Sequence, residues 1–466
     1  MTQQPVRTRP APEGGAGPVV RRPHRPGATL AVTSAATAVA LMNYTAPMST
    51  LSGIAASLGT PAAAQAWLLN GAPLGLAVLL LVAGSLADDF GRRRLFLIGT
   101  FGLAATTALG ALASSTFGFT LARAGQGAAS AAILATSLGL LVGAYPAGHA
   151  RIRAMGVWGA SVSAGIALGP LLAGSLGSLD WRLTYLALGA GALVTAGSAL
   201  RTLTESRAPR AGRPDLAGAA ALGLAMTALL TALTLGRDGW LRAPVGLLLL
   251  AALALTAVFA AVERRATAPL IDLALFRSRP FLASLTGGLF TGIAVIGLFS
   301  YLPTLLQHTL SLSALDSAWL FLLWSGSSFA VALQARRLTG RVAARHQLAA
   351  GFLLHGVAVL PMLGILTGGG TGTAVWARLI PALVVAGAGS GLLNAALPRL
   401  AVESVAPERA AMGSGANNTA RYLGSSAGVA VTIAVAATPS GADAAVLVSA
   451  GAALAAAVGV LLLRER

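Results

Sequence analysis

Long apolar segments, each almost free of charged residues, alternate with short polar segments along most of the chain. An apolar run of about 18 or more residues predicts a membrane-spanning helix, because a helix of that length crosses the ~30 Å hydrocarbon layer of a bilayer. The sequence therefore predicts an all-α integral membrane protein. The pattern predicts fourteen spans, at about residues 28–48, 64–86, 95–114, 116–142, 150–176, 181–202, 215–236, 243–263, 280–306, 314–335, 346–366, 373–396, 411–437 and 441–463.

Composition supports the bilayer as the main partner of this chain. Hydrophobic residues make up 56% of it and charged residues only 10%, whereas soluble domains carry roughly 25% charged residues. The chain has no cysteine, which excludes a disulfide framework and a thiolate metal site. It shows neither a cluster of catalytic groups nor a nucleotide-binding motif, so we expect no enzyme activity, no cofactor and no metal.

The net charge of +18 is distributed unevenly. Loops on one side of the predicted bilayer hold only Arg182, Arg237 and Arg242, and the segments on the other side hold most of the remaining arginines. The positive-inside rule therefore places both termini in the cytoplasm, with the protein in the cytoplasmic membrane. Because topology explains the charge, no nucleic-acid partner is expected. Residues 1–27 are expected to form a disordered cytoplasmic tail.

A strongly charged turn follows the second predicted span. The stretch "GSLADDFGRRRLFLIG" (residues 84–99) places Asp88, Asp89 and three arginines in a turn predicted over residues 87–94. Anchoring at the cytoplasmic surface explains the arginines. It does not explain the acids, which contribute little to topology, nor the spacing of the glycines.

The charged turn and two later stretches resemble the signatures of one transporter family. "GSLADDFGRRR" is similar to the sequence between spans two and three of the major facilitator superfamily. "LARAGQG" at residues 121–127 resembles the family's span-four pattern, and "GIALGPLLAG" at residues 165–174 resembles the span-five pattern of its exporters. The fourteen spans, together with "DWRLTYL", "ERRATAPLIDLALFRSRPF" and "GSGANNTARYLGSSAG", resemble the fourteen-span drug/proton antiporter branch.

The resemblance implies a major facilitator fold built from two six-helix half-bundles. The divisions it implies are half-bundles at 28–202 and 280–463, two inserted spans at 215–263, cytoplasmic linkers at 203–214 and 264–279, and a cytoplasmic end at 464–466. The second half carries a faded copy of the charged turn, "LTGRVAARHQL" at residues 338–348, in which Ala344 takes the place of Asp88. Only the first copy therefore has a carboxylate to use.

By resemblance, the turn formed around Gly84, Asp88, Gly91 and Arg92 is a gate. In the family, the aspartate is thought to contact a helix N-terminus and a nearby arginine across the seam between the half-bundles when the cytoplasmic side is closed. A carboxylate suits the partial positive charge of a helix N-terminus. The chain departs from the family at Asp89, where a basic residue is usual, so the charge balance of the gate differs.

Span five contains Gly165, Gly169, Pro170 and Gly174, with the three glycines close to one face of the helix. Two interpretations remain open. Small residues permit close packing between membrane helices, and a proline removes a backbone donor and favours a hinge.

The central cavity is implied to lie among spans one, four, nine and twelve. An arginine within a span is costly and commonly marks a pathway or a pair, although Arg123 could also extend to the membrane surface. Gln126 lies on the same helix face and would share a site with it. The candidate cavity residues are Asn43, Tyr44, Arg123, Gln126, Phe290, Tyr301, Trp376 and Asn394.

An apolar chamber with a few polar groups suits amphiphilic compounds, so we predict a monomeric secondary transporter that exports drugs, antibiotics or dyes. The alternatives are a carrier for one specific metabolite, with or without proton coupling, and a membrane-embedded sensor. A cavity with Arg123 and no buried acid favours neutral or anionic amphiphiles.

The acid that usually takes part in proton coupling in this family is missing from span one. The family aspartate of span one corresponds to about Ala38, and no acid falls in the middle of any predicted span. Membrane carboxylates commonly carry the exchanged proton. Proton coupling is therefore expected to be weak or to depend on Asp88, at a span end, or His355, near the middle of span eleven. The alternative for His355 is a neutral histidine bonded to a neighbouring helix.

Overall fold

Helices occupy nearly all of the chain that the computed structural model describes. The described residues are 25–146, 149–206, 215–236, 239, 241–266, 269–271, 273–335, 341–368, 372–405, 410–438 and 441–463. Most of the predicted tail, residues 207–214 of the first linker and the end at 464–466 lie outside them.

Seven helices form an N-terminal bundle. They are α1 (Pro26–Thr45), α2 (Pro47–Ser57), α3 (Gln65–Phe90), α4 (Arg92–Ala111), α5 (Thr116–Ala144), α6 (His149–Gly177) and α7 (Trp181–Thr202). Helix α5 packs against α3 and α4, and α1 packs against α5, α6 and α7. The first predicted span is two helices rather than one, because Pro47 lacks the N–H that would continue α1.

Two helices, α8 (Leu216–Gly236) and α9 (Ala243–Glu263), follow the N-terminal bundle. They pack against each other, and α8 also contacts α3. The buried residues of α9 are Val245, Ala252, Phe259 and Glu263. Most of its apolar surface therefore faces outward, as expected for a helix surrounded by lipid.

The remaining helices form a C-terminal bundle. They are α10 (Arg279–Phe290), α11 (Gly297–Leu310), α12 (Ala314–Ala335), α13 (Ala344–Val359), α14 (Ile365–Gly368), α15 (Thr373–Glu403), α16 (Ala410–Ala436) and α17 (Gly441–Leu462). A π-helical segment, Thr291–Ile296, joins α10 to α11. Helix α15 packs against α12 and α13, and α16 packs against α10 and the π segment.

The two bundles meet along two seams, α3 against α16 and α6 against α12. At one end of the molecule, which we call the Gln307 end, α2 also contacts α11. There Ser52 donates to Gln307 Oε1 at 3.1 Å, and Gln307 Nε2 donates to the Ser49 carbonyl at 2.8 Å. The Gly91 end, which carries the α3–α4 turn, is opposite because α3 begins next to α2 and runs away from it.

Each of the fourteen predicted spans falls on one helix or on successive helices. Ten helical segments of the described chain are long and apolar enough to cross a membrane. The predicted turn over residues 87–94 is wrong in its length. Helix α3 continues to Phe90 and α4 begins at Arg92, because Gly91 reverses the chain direction by itself with φ 109°.

Candidate substrate cavity

A cavity lies between the bundles at about half the height of the molecule. It holds about 720 Å³ of atom-free space, part of it open to solvent. Its lining comes from α1, α2 and α6 on one side and from the π segment, α11, α12, α15 and α16 on the other. A molecule in this cavity would therefore touch both bundles at once.

Aromatic rings from the C-terminal bundle line part of this cavity. Phe299 stacks on Trp324, with ring centroids 4.4 Å apart and planes 19° apart, and Phe321 lies 5.0 Å from the same Trp324 ring. These three rings are buried and give this part of the cavity an apolar lining. An apolar lining of this kind suits a ligand with an aromatic or aliphatic body.

A polar cluster from α1 and α16 lines another part. The Tyr44 and Tyr422 rings meet edge to face at 5.8 Å, and the Tyr44 hydroxyl is hydrogen-bonded to Ser425 Oγ at 3.0 Å. The guanidinium of Arg421 lies 5.4 Å from the centre of the Tyr422 ring. The cluster thus combines a cation, two phenols and a hydrogen bond that joins the bundles.

Glycines hold the polar cluster against the π segment. A Cβ on Gly424 would overlap the Leu289 carbonyl, and one on Gly428 would lie 2.6 Å from the Ile293 carbonyl. A Cβ on Gly292 would overlap the Arg421 carbonyl. Because only glycine permits these backbone contacts, the sequence "ARYLGSSAG" fixes where Arg421 enters the cavity.

Arg123 is fully buried inside the N-terminal bundle. Its Nη1 donates to the Asn43 carbonyl at 2.6 Å, to Asn43 Oδ1 at 2.8 Å and to Gln126 Oε1 at 2.8 Å, and its Nη2 donates to the Tyr44 carbonyl at 3.0 Å. Gln126 in turn donates to the Thr106 carbonyl. All acceptors of the guanidinium are neutral oxygens.

The break between α1 and α2 explains why Arg123 is buried at this position. Pro47 has no N–H to donate to the carbonyl of residue 43, four positions earlier. Arg123 donates to that carbonyl instead. The spacing of Asn43 and Pro47 in span one and the arginine of span four therefore form one structural unit.

The glycines of α6 are sites of close approach. A Cβ on Gly165 would lie 2.5 Å from the Ala38 carbonyl, one on Gly169 would overlap Thr45 Oγ1, and one on Gly174 would lie 2.9 Å from the Ala314 carbonyl across the seam. This geometry supports close packing. The hinge role of these residues and of Pro170 stays a prediction.

The α3–α4 turn is held by a carboxylate that lies beyond α7. Glu205 accepts from the backbone N–H groups of Arg93 and Arg94 at 3.0 and 3.3 Å, so it caps the N-terminus of α4. A Cβ on Gly91 would lie 2.6 Å from that carboxylate. Arg92 donates to the Gly139 carbonyl on α5. The side chains of Asp88 and Asp89 lie outside the described residues, and so does Gly340 of the faded copy.

His355 is buried in the C-terminal bundle and does not line the cavity. Its Nε2 lies 3.2 Å from Ser449 Oγ, which donates to the Ala294 carbonyl of the π segment at 2.7 Å. Because the serine proton is used, His355 Nε2 is the donor in this pair. These contacts suit a neutral imidazole, and its role as a proton site stays a prediction.

The structure divides the predicted cavity residues into three groups. Tyr44 and Asn394 line the cavity. Asn43, Arg123 and Gln126 form the buried network described above. The aromatic residues outside the lining are Phe290, Tyr301 and Trp376.

Sequence reasoning missed Arg421, Tyr422, Phe299 and Trp324. Arg421 lies in the middle of predicted span thirteen, so the rule that selected Arg123 also applies to it. Helices α12 and α16, which supply two of the missed aromatic residues, were not among the four spans assigned to the cavity.

Two helical bundles around a central cavity define a membrane carrier that works by alternating access. The chain belongs to the Major Facilitator Superfamily, whose model matches residues 33–429. The protein is therefore a transporter and not an enzyme.

Known relatives of this chain are transport and resistance proteins. It is 32% identical over 438 residues to the probable actinorhodin transporter of Streptomyces coelicolor, covering 91% of this chain and 74% of that protein. It is 32% identical over 368 residues to the multidrug resistance protein Stp of Mycobacterium tuberculosis, covering 78% and 67%. Among solved structures, a peptide transporter crystallised with sulfate matches with a TM-score of 0.69 at 17% identity, covering 93% of each chain.

Proposed function

We propose that this protein exports amphiphilic small molecules, such as drugs, antibiotics or dyes, across the cytoplasmic membrane by secondary active transport. The cavity between the bundles is the observation that carries the proposal. Its aromatic rings, together with the hydroxyl, amide and guanidinium groups that share the lining, suit a ligand with an apolar body and a polar end. The names of the relatives, which include a tetracenomycin C resistance and export protein of Streptomyces glaucescens, support the same substrate class.

A substrate panel tests this proposal. Cells without their main efflux pumps would express the chain and be exposed to amphiphilic antibiotics and dyes, with membrane insertion confirmed by immunoblot. Expression should lower the accumulation of several compounds of different structure. Unchanged accumulation of every compound would contradict drug export, and export of a single compound would favour the specific-metabolite carrier.

The proposed topology has fourteen spans in a monomer, with both termini in the cytoplasm. The arginines Arg92–Arg94 mark the Gly91 end as cytoplasmic by the positive-inside rule, and the Gln307 end is then extracellular. Since the chain has no cysteine, single cysteines can be labelled without background. Ser178→Cys should react with an impermeant maleimide added to intact cells, and Ser85→Cys should react only after lysis. Labelling of Ser85→Cys in intact cells would contradict this topology.

We also propose that any proton antiport by this protein depends on one of two residues, Asp88 or His355. The described cavity-lining residues include no aspartate or glutamate, so exchange would depend on Asp88 or His355. Reconstituted protein given a pH gradient should lose proton-driven transport in the double variant Asp88→Asn, His355→Gln. Full proton-driven transport in that variant would show that another group carries the proton.

A further inference from the structure

The cavity is lined by an arginine that donates no hydrogen bond to a described residue. Arg421 lies near the middle of α16 and lines the cavity. Its Nε is buried without a hydrogen-bond partner, and its described contact is with the face of the Tyr422 ring. Arg123 also has a buried Nε without a partner, but its Nη1 and Nη2 donate to four oxygens.

The surroundings of Arg421 do not neutralise it. The described lining of the cavity contains no carboxylate, and the other polar side chains there are hydroxyls and the amide of Asn394. Arg421 is half-buried, and a guanidinium with reduced access to water is stabilised by an opposite charge that it can hydrogen-bond. The cavity provides that charge only when a ligand brings it.

We propose that Arg421 is the anion-binding group of this cavity, and that the transported compounds are aromatic amphiphiles that carry an acidic group. The inference rests on the proposed function, which it narrows to one substrate class. A planar aromatic body fits the rings of Phe299 and Trp324, and a carboxylate, phenolate or sulfonate fits the guanidinium. The glycines at 424 and 428 hold the backbone that carries Arg421 at a fixed position.

The position of Arg421 also connects binding to the seam. The next residues on the same helix include Ser425, whose hydroxyl is hydrogen-bonded to Tyr44 of the opposite bundle. An anion that binds Arg421 therefore lies close to a hydrogen bond between the bundles. Cations find no opposite charge among the described lining residues.

Two probes with the same aromatic body but different charge test whether the negative charge contributes to binding. The sulfonate 8-anilinonaphthalene-1-sulfonate and the neutral N-phenyl-1-naphthylamine share one ring system, and ethidium serves as the cation. Ser163 lines the cavity, so Ser163→Cys would be purified and its rate of alkylation by N-ethylmaleimide measured with each probe. The protection given by each probe is compared between variants and not between probes. Differences in how the probes partition into detergent therefore do not affect the comparison.

The sulfonate should slow the alkylation of Ser163→Cys. Adding Arg421→Gln should raise the concentration needed for protection by about tenfold or more, because a charge-assisted hydrogen bond is lost. Arg421→Lys should retain most of the protection, and the neutral probe should protect equally in all variants. Arg182→Gln, which removes an arginine outside the cavity, is the matched control and should change nothing.

Two results would overturn the inference. One is the absence of protection by the sulfonate in the Ser163→Cys protein, and the other is equal protection before and after Arg421→Gln in protein that elutes as a single monodisperse peak. The measurement uses purified protein and reports binding alone. Failure of export in cells would therefore contradict the proposed function without affecting this result, and export of cationic dyes alone would contradict the inference without affecting the proposed function.

Discussion

At the scale of single residues, two prolines in the N-terminal bundle each leave a backbone carbonyl without its helical donor. A side chain from a neighbouring helix lies within hydrogen-bond distance of each of these carbonyls. Pro47 leaves the Asn43 carbonyl without a helical donor, and Arg123 donates to it. Pro170 leaves the Ile166 carbonyl free in the same way, and Thr45 Oγ1 lies 3.2 Å from that oxygen. A buried backbone carbonyl without a donor is unfavourable in lipid, so the Arg123 contact stabilises the break after α1, and Thr45 offers a donor to the Ile166 carbonyl within the continuous helix α6.

Arg123 and Arg421 should therefore differ in what they contribute to stability. Arg123→Gln leaves the oxygens around the α1–α2 break without their donor, and we expect it to reduce the free energy of unfolding by about 1–3 kcal/mol. Arg421→Gln removes no hydrogen bond to a described residue and should leave the melting temperature of the purified protein unchanged. Equal melting temperatures of the two variants would contradict this assignment of roles.

The sequence predicted that an arginine within a span has a specific role. It did not predict whether that role is to stabilise the helix packing, as for Arg123, or to bind a ligand, as proposed for Arg421. Arg123 and Arg421 both lie within predicted spans. The distinction depends on which helix packs against each one, and that information is not local. The pairing of Arg123 with Asn43 joins residues 80 positions apart, and none of the described cavity-lining residues comes from span four.

At the scale of helices, glycine positions decide how closely α6 and α1 approach. Gly169→Ala would place a methyl group against Thr45 and the Met42 carbonyl, which lies 2.6 Å from the Cβ position. We expect this change to cost about 1–3 kcal/mol and to slow transport, because overpacking separates the helices. Gly159→Ala on the same helix has no atom within 4 Å of its Cβ position and is the control. Thermal melting and efflux rates of the two variants test the difference.

The π segment limits what helical periodicity can predict about span nine. A π segment carries an extra residue and rotates the helix that follows it relative to the helix before it. Phe290 precedes the segment and Phe299 follows it, so the face that Phe290 occupies does not indicate the face of Phe299. The fourteen apolar segments were predictable because each is a local run of residues. Which helix faces line the cavity could not be predicted, because this depends on the π segment and on how α16 packs.

At the scale of the whole molecule, side-chain hydrogen bonds between described residues of the two bundles lie at the Gln307 end and beside the cavity. Gln307 bonds with Ser49 and Ser52 at one end, and Tyr44 and Asn70 bond with α16. A Cβ on Gly174 would lie 2.9 Å from the Ala314 carbonyl at that same end. The bundles are therefore tied together at the Gln307 end, and alternating access requires these contacts to break during each cycle.

A cross-link at the Gln307 end should consequently stop transport. Ser52→Cys with Gln307→Cys, joined by a short bifunctional methanethiosulfonate, would hold α2 against α11, where the native side chains are 3.1 Å apart. We expect efflux to fall to the background of cells without the protein and to recover when a reductant removes the cross-link. The matched control is Ser57→Cys with Arg182→Cys, whose native side chains lie 3.4 Å apart at the same end but within one bundle. That cross-link should leave efflux unchanged, because bundles that move as rigid bodies do not separate these residues. Normal efflux through the Ser52–Gln307 cross-link would mean that this end does not open during transport.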